Sequence, residues 1–234
     1  MLIFLGDSQC LGYELAEEVQ ERLPDSFDHG LVHNELLSKH DPQFEYGMVR
    51  PDLAFPHLVA SDLSEKYINL AHGGTGNEYA LYQLQKYLTE NLEQLRLDHK
   101  DITVVLYQSS LLRRLFVNSF DFSILTYMSR PNEFTQETRD VLDRYSCYPN
   151  IQAANQIFLM CSYYNLNFLS VDLHDMISPG TQEQISKFSI IPEENMVPRD
   201  VGFMGDNFLK YHFNCKAQRY IADQILLKLG QQRK

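Results

Sequence analysis

Residues 1–12 read MLIFLGDSQCLG. Leu2 to Leu5 is a short apolar run that stops at Gly6, the pattern of a buried strand ending in a tight turn. Beyond it, Leu15, Ala16, Val19 and Leu23 recur at helical spacing, with Glu14, Glu17, Glu18 and Glu21 on the other side, until Pro24 ends the period. A strand therefore feeds a helix through Gly6-Asp7-Ser8.

The same unit recurs along the chain. A helix including Leu58 to Leu63 leads to a second strand, Tyr67 to Ala71, which Gly73, Gly74 and Gly76 interrupt. Leu81, Leu84, Leu88, Leu92 and Leu95 then follow at helical period. Ile102 to Tyr107 is a β-branched third strand that runs into Gln108, Ser109 and Ser110. Ile151, Ala154, Phe158 and Cys161 mark another helix, Phe168 to Val171 a fourth strand, and Ala217, Tyr220, Ile221, Ile225 and Leu229 a closing helix. Strands alternating with helices predict an α/β fold with a central parallel sheet covered on both faces. Ligands bind such sheets at the carboxyl ends of the strands, so the turns at Ser8, at Gly74 and at Ser109 are expected to converge.

Residues 24–50 and 116–149 lack a sustained period. They are expected to be insertions, the first a long surface loop and the second irregular, with a short helix near residues 133–145. No repeat or low-complexity linker divides the chain, so residues 1–234 are expected to form a single domain.

The balance of 20 basic and 31 acidic side chains gives a formal charge of -11, which repels phosphate backbones and anionic lipid headgroups and argues against a nucleic-acid partner. Every apolar run is shorter than the roughly 20 residues a membrane-spanning helix needs, so no membrane insertion is expected. The opening residues lack the basic start and cleavage site of a secretory signal, and the expected location is the cytoplasm. Cys10, Cys147, Cys161 and Cys215 are scattered without a CxxC pair, which suits free thiols better than a zinc site or disulfide framework. The histidines form no HExxH, His29, His33 and His40 lie in a polar stretch, and Asp172, His174 and Asp175 read as turn residues after the fourth strand. No metal and no cofactor are expected.

A serine hydroxyl is a weak nucleophile at neutral pH and needs a base within reach, with donors for the oxyanion it creates. Ser8, between a strand and a helix, is placed for that role. The segment IFLGDSQCLGYE (3–14) resembles the nucleophile block of the SGNH, or GDSL-like, hydrolases. YINLAHGGTGNEYAL (67–81) is similar to their glycine block, and YHFNCKAQRYIADQIL (211–226) to their histidine block, in which Asn and a terminal helix follow the His. The resemblance spans Leu2 to Ala222. It implies a flavodoxin-like three-layer α/β/α sandwich and ester hydrolysis through an acyl-enzyme on Ser8, with His212 as general base. It also implies an oxyanion hole made by the Ser8 and Gly74 backbone amides.

Two departures from the family pattern bear on the chemistry. The third block usually carries an Asn donor, whereas VVLYQSSLLRR (104–114) has none; Ser109 falls at that position, and Gln108 is the alternative donor. The family also places an Asp three residues before the His, where this chain has Leu209; the nearest upstream carboxylate is Asp206, in GFMGDNFLKYH (202–212). A loop that folds Asp206 back to the imidazole completes a triad, and a backbone carbonyl in its place leaves a Ser-His dyad. His72, beside the glycine turn, has no counterpart in the family and reads as structural. The Arg113-Arg114 pair reads as surface charge on a helix.

The expected function is that of a serine esterase acting on a small-molecule or carbohydrate ester such as an O-acetyl group. The alternatives are a non-catalytic relative that keeps the fold as a binding or structural module, and a thioesterase or lysophospholipase.

Overall fold

The computed structural model describes residues 1–12, 15, 50–73, 75–91, 102–108, 113–117, 124–128, 136–171, 187–197 and 213–232. In chain order the elements are β1 (Leu2–Leu5), α1 (Ser8–Leu11), a 3-10 turn (Pro51–Leu53), α2 (Phe55–Leu63), β2 (Tyr67–Asn69), α3 (Asn77–Glu90), β3 (Thr103–Tyr107), β4 (Arg113–Val117), β5 (Ile124–Met128), α4 (Gln136–Tyr163), β6 (Asn167–Val171), a second 3-10 turn (Glu193–Asn195), β7 (Met196–Val197) and α5 (Cys215–Gln232). They belong to two compact units interleaved along the chain. The first is Met1–Asp7 with Lys66–Arg199, and the second is Ser8–Glu65 with Asp200–Lys234.

The first unit is built on a five-stranded sheet in the order β2-β1-β3-β6-β7, all pairs parallel. The fold is α/β with a central parallel sheet, as the alternation predicts. Register is set residue against residue: Ile3 faces Val104, Leu5 faces Leu106, and Val104 faces Phe168. These side chains lie on one face of the sheet and are buried with Ala80, Leu84 and Leu88 of α3 and Ala154, Ile157 and Cys161 of α4. Each fully buried aliphatic side chain of this kind contributes about 1.5–3 kcal/mol. Residues of the opposite face, Leu2, Phe4, Val105 and Tyr107, are equally buried. A parallel sheet buried on both faces reads as a continuous apolar run rather than an alternating one, which is how LIFL and TVVLY read.

The structure corrects the reading of residues 116–149 where it describes them. β4 and β5 form an antiparallel hairpin, with Arg113 opposite Met128, so Arg113 and Arg114 lie on a strand and not on a helix. The expected short helix near 133–145 and the expected helix around 151–161 are one helix, α4, which continues through Pro149. Proline in a helix interior costs about 3 kcal/mol. Burial of Ile151, Ala154, Ile157 and Cys161 just beyond it offsets that cost. The two-residue β7 at the sheet edge had no sequence signal. The expected loop over 24–50 lies outside the described residues except for Arg50, and the helix expected over 14–23 does so except for Leu15.

In the second unit α2 packs against α5. α2 buries Phe55, Pro56, Val59 and Ala60, and α5 buries Ala217, Gln218, Ile221, Ala222, Ile225 and Leu229, a stripe at helical spacing. Asn214 caps α5, its Oδ1 accepting the Ala217 amide at 2.9 Å. Gly12 adopts φ +75°, and its carbonyl accepts the Arg50 amide at 3.0 Å. Glycine is required there twice over: the conformation is left-handed, and an added Cβ would press into the Arg50 carbonyl oxygen. Arg50 is itself fixed by a bidentate pair with Asp52, at 2.7 Å and 2.6 Å. Among the described residues no helix is long and apolar enough to cross a membrane.

Candidate active site

The strand order defines where a site belongs. The chain runs from β1 outward to β2 on one side and then crosses to β3 on the other, so the topological switch point lies between β1 and β3. In open α/β sheets ligands occupy the space outside the carboxyl ends of the strands at such a point. Three of these ends are described. β1 runs into Gly6 and Asp7, both buried; β2 runs into Ala71, His72 and Gly73; β3 runs into Gln108.

Backbone hydrogen bonds hold the ends of β1 and β2 together beyond the regular ladder: the Leu70 amide donates to Phe4 O at 2.8 Å and the His72 amide to Gly6 O at 3.1 Å. The glycine turn is then shaped from within. Thr75 Oγ1 donates to the His72 carbonyl at 2.7 Å, and His72 Nδ1 lies 3.0 Å from the Gly73 carbonyl. A carbonyl only accepts, so Nδ1 carries the proton. The His72 ring stacks at a tilt on Tyr79, 5.0 Å between centroids. His72 thus braces the turn, as its position in the sequence suggested.

At the end of β3, Gln108 is buried and its Nε2 donates to Ser170 Oγ on the neighbouring β6 at 2.8 Å. This bond holds a side chain that the sequence marked as an alternative oxyanion donor.

Ser8 is the first residue of α1, directly after β1 and Gly6-Asp7. Gly74, Ser109, Asp206 and His212 lie outside the described residues, as do Ser110, Asp172, His174, Asp175 and Leu209. Gln9, next to Ser8, and Phe213, next to His212, are described, and they meet within the second unit. The amide of Phe213, the residue after His212, donates to Gln9 Oε1 at 2.9 Å, and Gln9 is the residue after Ser8. Gln218 adds a second tie, its Nε2 donating to the Gln9 carbonyl at 3.0 Å while its Oε1 accepts the Phe55 amide at 2.9 Å. Sequence reasoning missed Gln9 and Gln218. The available signal was a polar amide at position 218 inside the apolar stripe of α5, a place that only a satisfied hydrogen-bonding group occupies.

Cys10 and Cys161 are buried and Cys215 is half-buried. Burial pushes the Cys161 thiol up to about 12, so it is a packing residue and not a nucleophile. Among the described residues no group of His, Cys, Asp and Glu is arranged to hold a metal ion.

Neither protein-family models nor curated protein sequences give a match to this chain. Solved structures do. The chain superposes on Est2A, an acetyl xylan esterase from the rumen bacterium Butyrivibrio proteoclasticus, with a TM-score of 0.52 at 14% identity, covering 99% of this chain and 63% of that one. A carbohydrate esterase family 2 enzyme with a carbohydrate binding domain, from Corynascus thermopiles (Myceliophthora fergusii), gives 0.52 at 14% identity, covering 98% and 66%. The fold is one shared with carbohydrate esterases. The chain spans just under two thirds of the length of either enzyme.

Proposed function

We propose that the protein is a serine esterase of the SGNH type, hydrolysing a small carboxylic ester such as a carbohydrate O-acetyl group. Ser8 Oγ attacks the ester carbonyl while His212 takes its proton. Collapse of the tetrahedral intermediate expels the alcohol, which receives that proton from His212, and water then cleaves the acyl-enzyme by the same route in reverse. The Ser8 and Gly74 amides and the Ser109 hydroxyl stabilise the oxyanion, and Asp206 orients the imidazole.

The observation that carries this reading is the hydrogen bond from Phe213 to Gln9. It joins the residues next to the two groups that must exchange a proton, although 204 positions separate them in sequence. The esterase fold of the superposed enzymes supports the reaction class, and the proposed acetyl ester follows the acetyl xylan named for one of them.

A fluorophosphonate probe tests the proposal. The wild type is expected to label and Ser8→Ala not to; equal labelling of both, or of neither, overturns it. Hydrolysis of p-nitrophenyl acetate is expected to fall by roughly three orders of magnitude or more in Ser8→Ala and in His212→Ala, because nucleophile and base act as a unit. The wild-type rate is expected to fall in acid, where a protonated imidazole accepts nothing. A preference for long-chain esters over the acetate would replace the deacetylase reading with a lysophospholipase or thioesterase one.

A further inference from the structure

Resting on the assignment of Ser8 and His212, we infer that Gln9 and Gln218 are positioning residues that lock the segment following His212 onto the one-turn helix headed by Ser8. α1 is four residues long, far below the length at which a helix holds itself in water, so its geometry is set by what it bonds to. Gln9 supplies two of those bonds. Its side-chain oxygen takes the Phe213 amide at 2.9 Å, and its carbonyl takes the Gln218 side-chain amide at 3.0 Å.

Neither tie is easily exchanged for water. Phe213 is 1% exposed and Gln218 is fully buried, so breaking either bond leaves a desolvated polar group. Gln218 uses both ends of its amide, donating to α1 and accepting the first amide of α2 from Phe55 at 2.9 Å. On the far side of Phe213, Asn214 is fixed as the cap of α5. His212 is therefore one peptide bond from an anchored point, and Ser8 is one peptide bond from the anchor itself. A displacement of about 1 Å between reacting groups costs on the order of 10²-fold in rate, so ties at this distance from the chemistry bear on turnover rather than on substrate affinity.

The test compares Gln9→Leu, which keeps the bulk and loses the acceptor, with Gln9→Glu, which keeps an acceptor oxygen at the same reach. Gln9→Leu is expected to lower kcat for p-nitrophenyl acetate by about 10²-fold with KM nearly unchanged. Gln9→Glu is expected to recover most of that loss. Hydrogen exchange at the Phe213 amide, which needs no activity, is expected to be slow in the wild type, fast in Gln9→Leu and slow again in Gln9→Glu. Gln218→Met is expected to loosen Phe213 exchange in the same direction. A wild-type kcat in Gln9→Leu, an equal loss in both Gln9 variants, or Phe213 exchange that is indifferent to Gln9 overturns the inference. A wild type inert to ester and probe sinks the esterase reading instead, and the exchange comparison still decides whether Gln9 holds the segment.

Discussion

Asn150 on α4 accepts the backbone amide of Asn77, the first residue of α3, at 2.8 Å through Oδ1, while its carbonyl accepts the Asn77 side-chain amide at 3.3 Å. Both residues are wholly buried. α3 begins after Gly76 with no side-chain cap of its own, so a residue 73 positions away does the capping. Asn150→Ala is expected to destabilise the fold by about 1–3 kcal/mol, because it strands a buried donor at the helix start. Urea unfolding checks this, with a lower midpoint at an unchanged slope.

Gly12 and Gly230 are expected to respond to the same substitution with opposite signs. Gly12→Ala places a methyl group against the Arg50 carbonyl oxygen in a left-handed backbone, and is expected to cost at least about 1–3 kcal/mol. Gly230 lies in α5 with nothing within 4 Å of an added Cβ, so Gly230→Ala is expected to stabilise by about 0.5–1 kcal/mol. Paired thermal melts of the two variants decide both.

The hydrogen-bonded Arg50 guanidinium holds the Asp52 carboxyl below its ordinary value, against the opposing effect of partial burial. The folded state therefore binds this proton less readily than the unfolded chain, and the pair stabilises at neutral pH. That contribution persists above about pH 3.9, the ordinary carboxylate value, and is lost as pH falls below it through the depressed value. With the Asp52 side chain 49% exposed, the effect is expected to be no more than about 1 kcal/mol after solvent screening. Asp52→Asn is expected to unfold at lower denaturant than the wild type at pH 7, with the difference shrinking in strong acid.

Cys161, on the sheet-facing side of α4, shows the opposite sign. Its thiol, pushed up to about 12, stays protonated in the folded state after the unfolded chain has begun to ionise near pH 8.5. Its contribution to stability is complete below about pH 8.5 and declines as pH rises toward 12. Cys161→Ala is expected to flatten that decline in denaturation curves. Iodoacetamide at mildly alkaline pH is expected to modify Cys161 only when urea is present, as read by peptide mass spectrometry.

What was legible in the sequence follows the physics of burial. LIFL and TVVLY lie in a sheet buried on both faces, where a short, largely apolar run bounded by turn residues reads as a strand, and β1, β3 and β6 fall within a residue or so of the predicted bounds. β2 is shorter than predicted, ending at Asn69 rather than Ala71. The β4-β5 hairpin was illegible because RRLFV carries neither clear alternation nor a continuous apolar run. The continuity of α4 was illegible because Pro149 is a local stop that only packing beyond it overrides. Within the candidate site, the position of Ser8 between a strand and a helix was readable: β1 precedes it and α1 begins at it. The ties that Gln9 makes to Phe213 and Gln218 were not readable, since they depend on which distant segments share a unit.

The bond between Gln9 and Phe213 also carries a timing consequence. During synthesis Gln9 leaves the ribosome 204 residues ahead of Phe213, and its ties to Phe213 and Gln218 form only after those residues have emerged. Loop closure over so long a stretch is entropically slow, so this unit is assembled late and as a whole. A nascent chain stalled before α5 holds a first turn that lacks the ties Gln9 makes to Phe213 and Gln218.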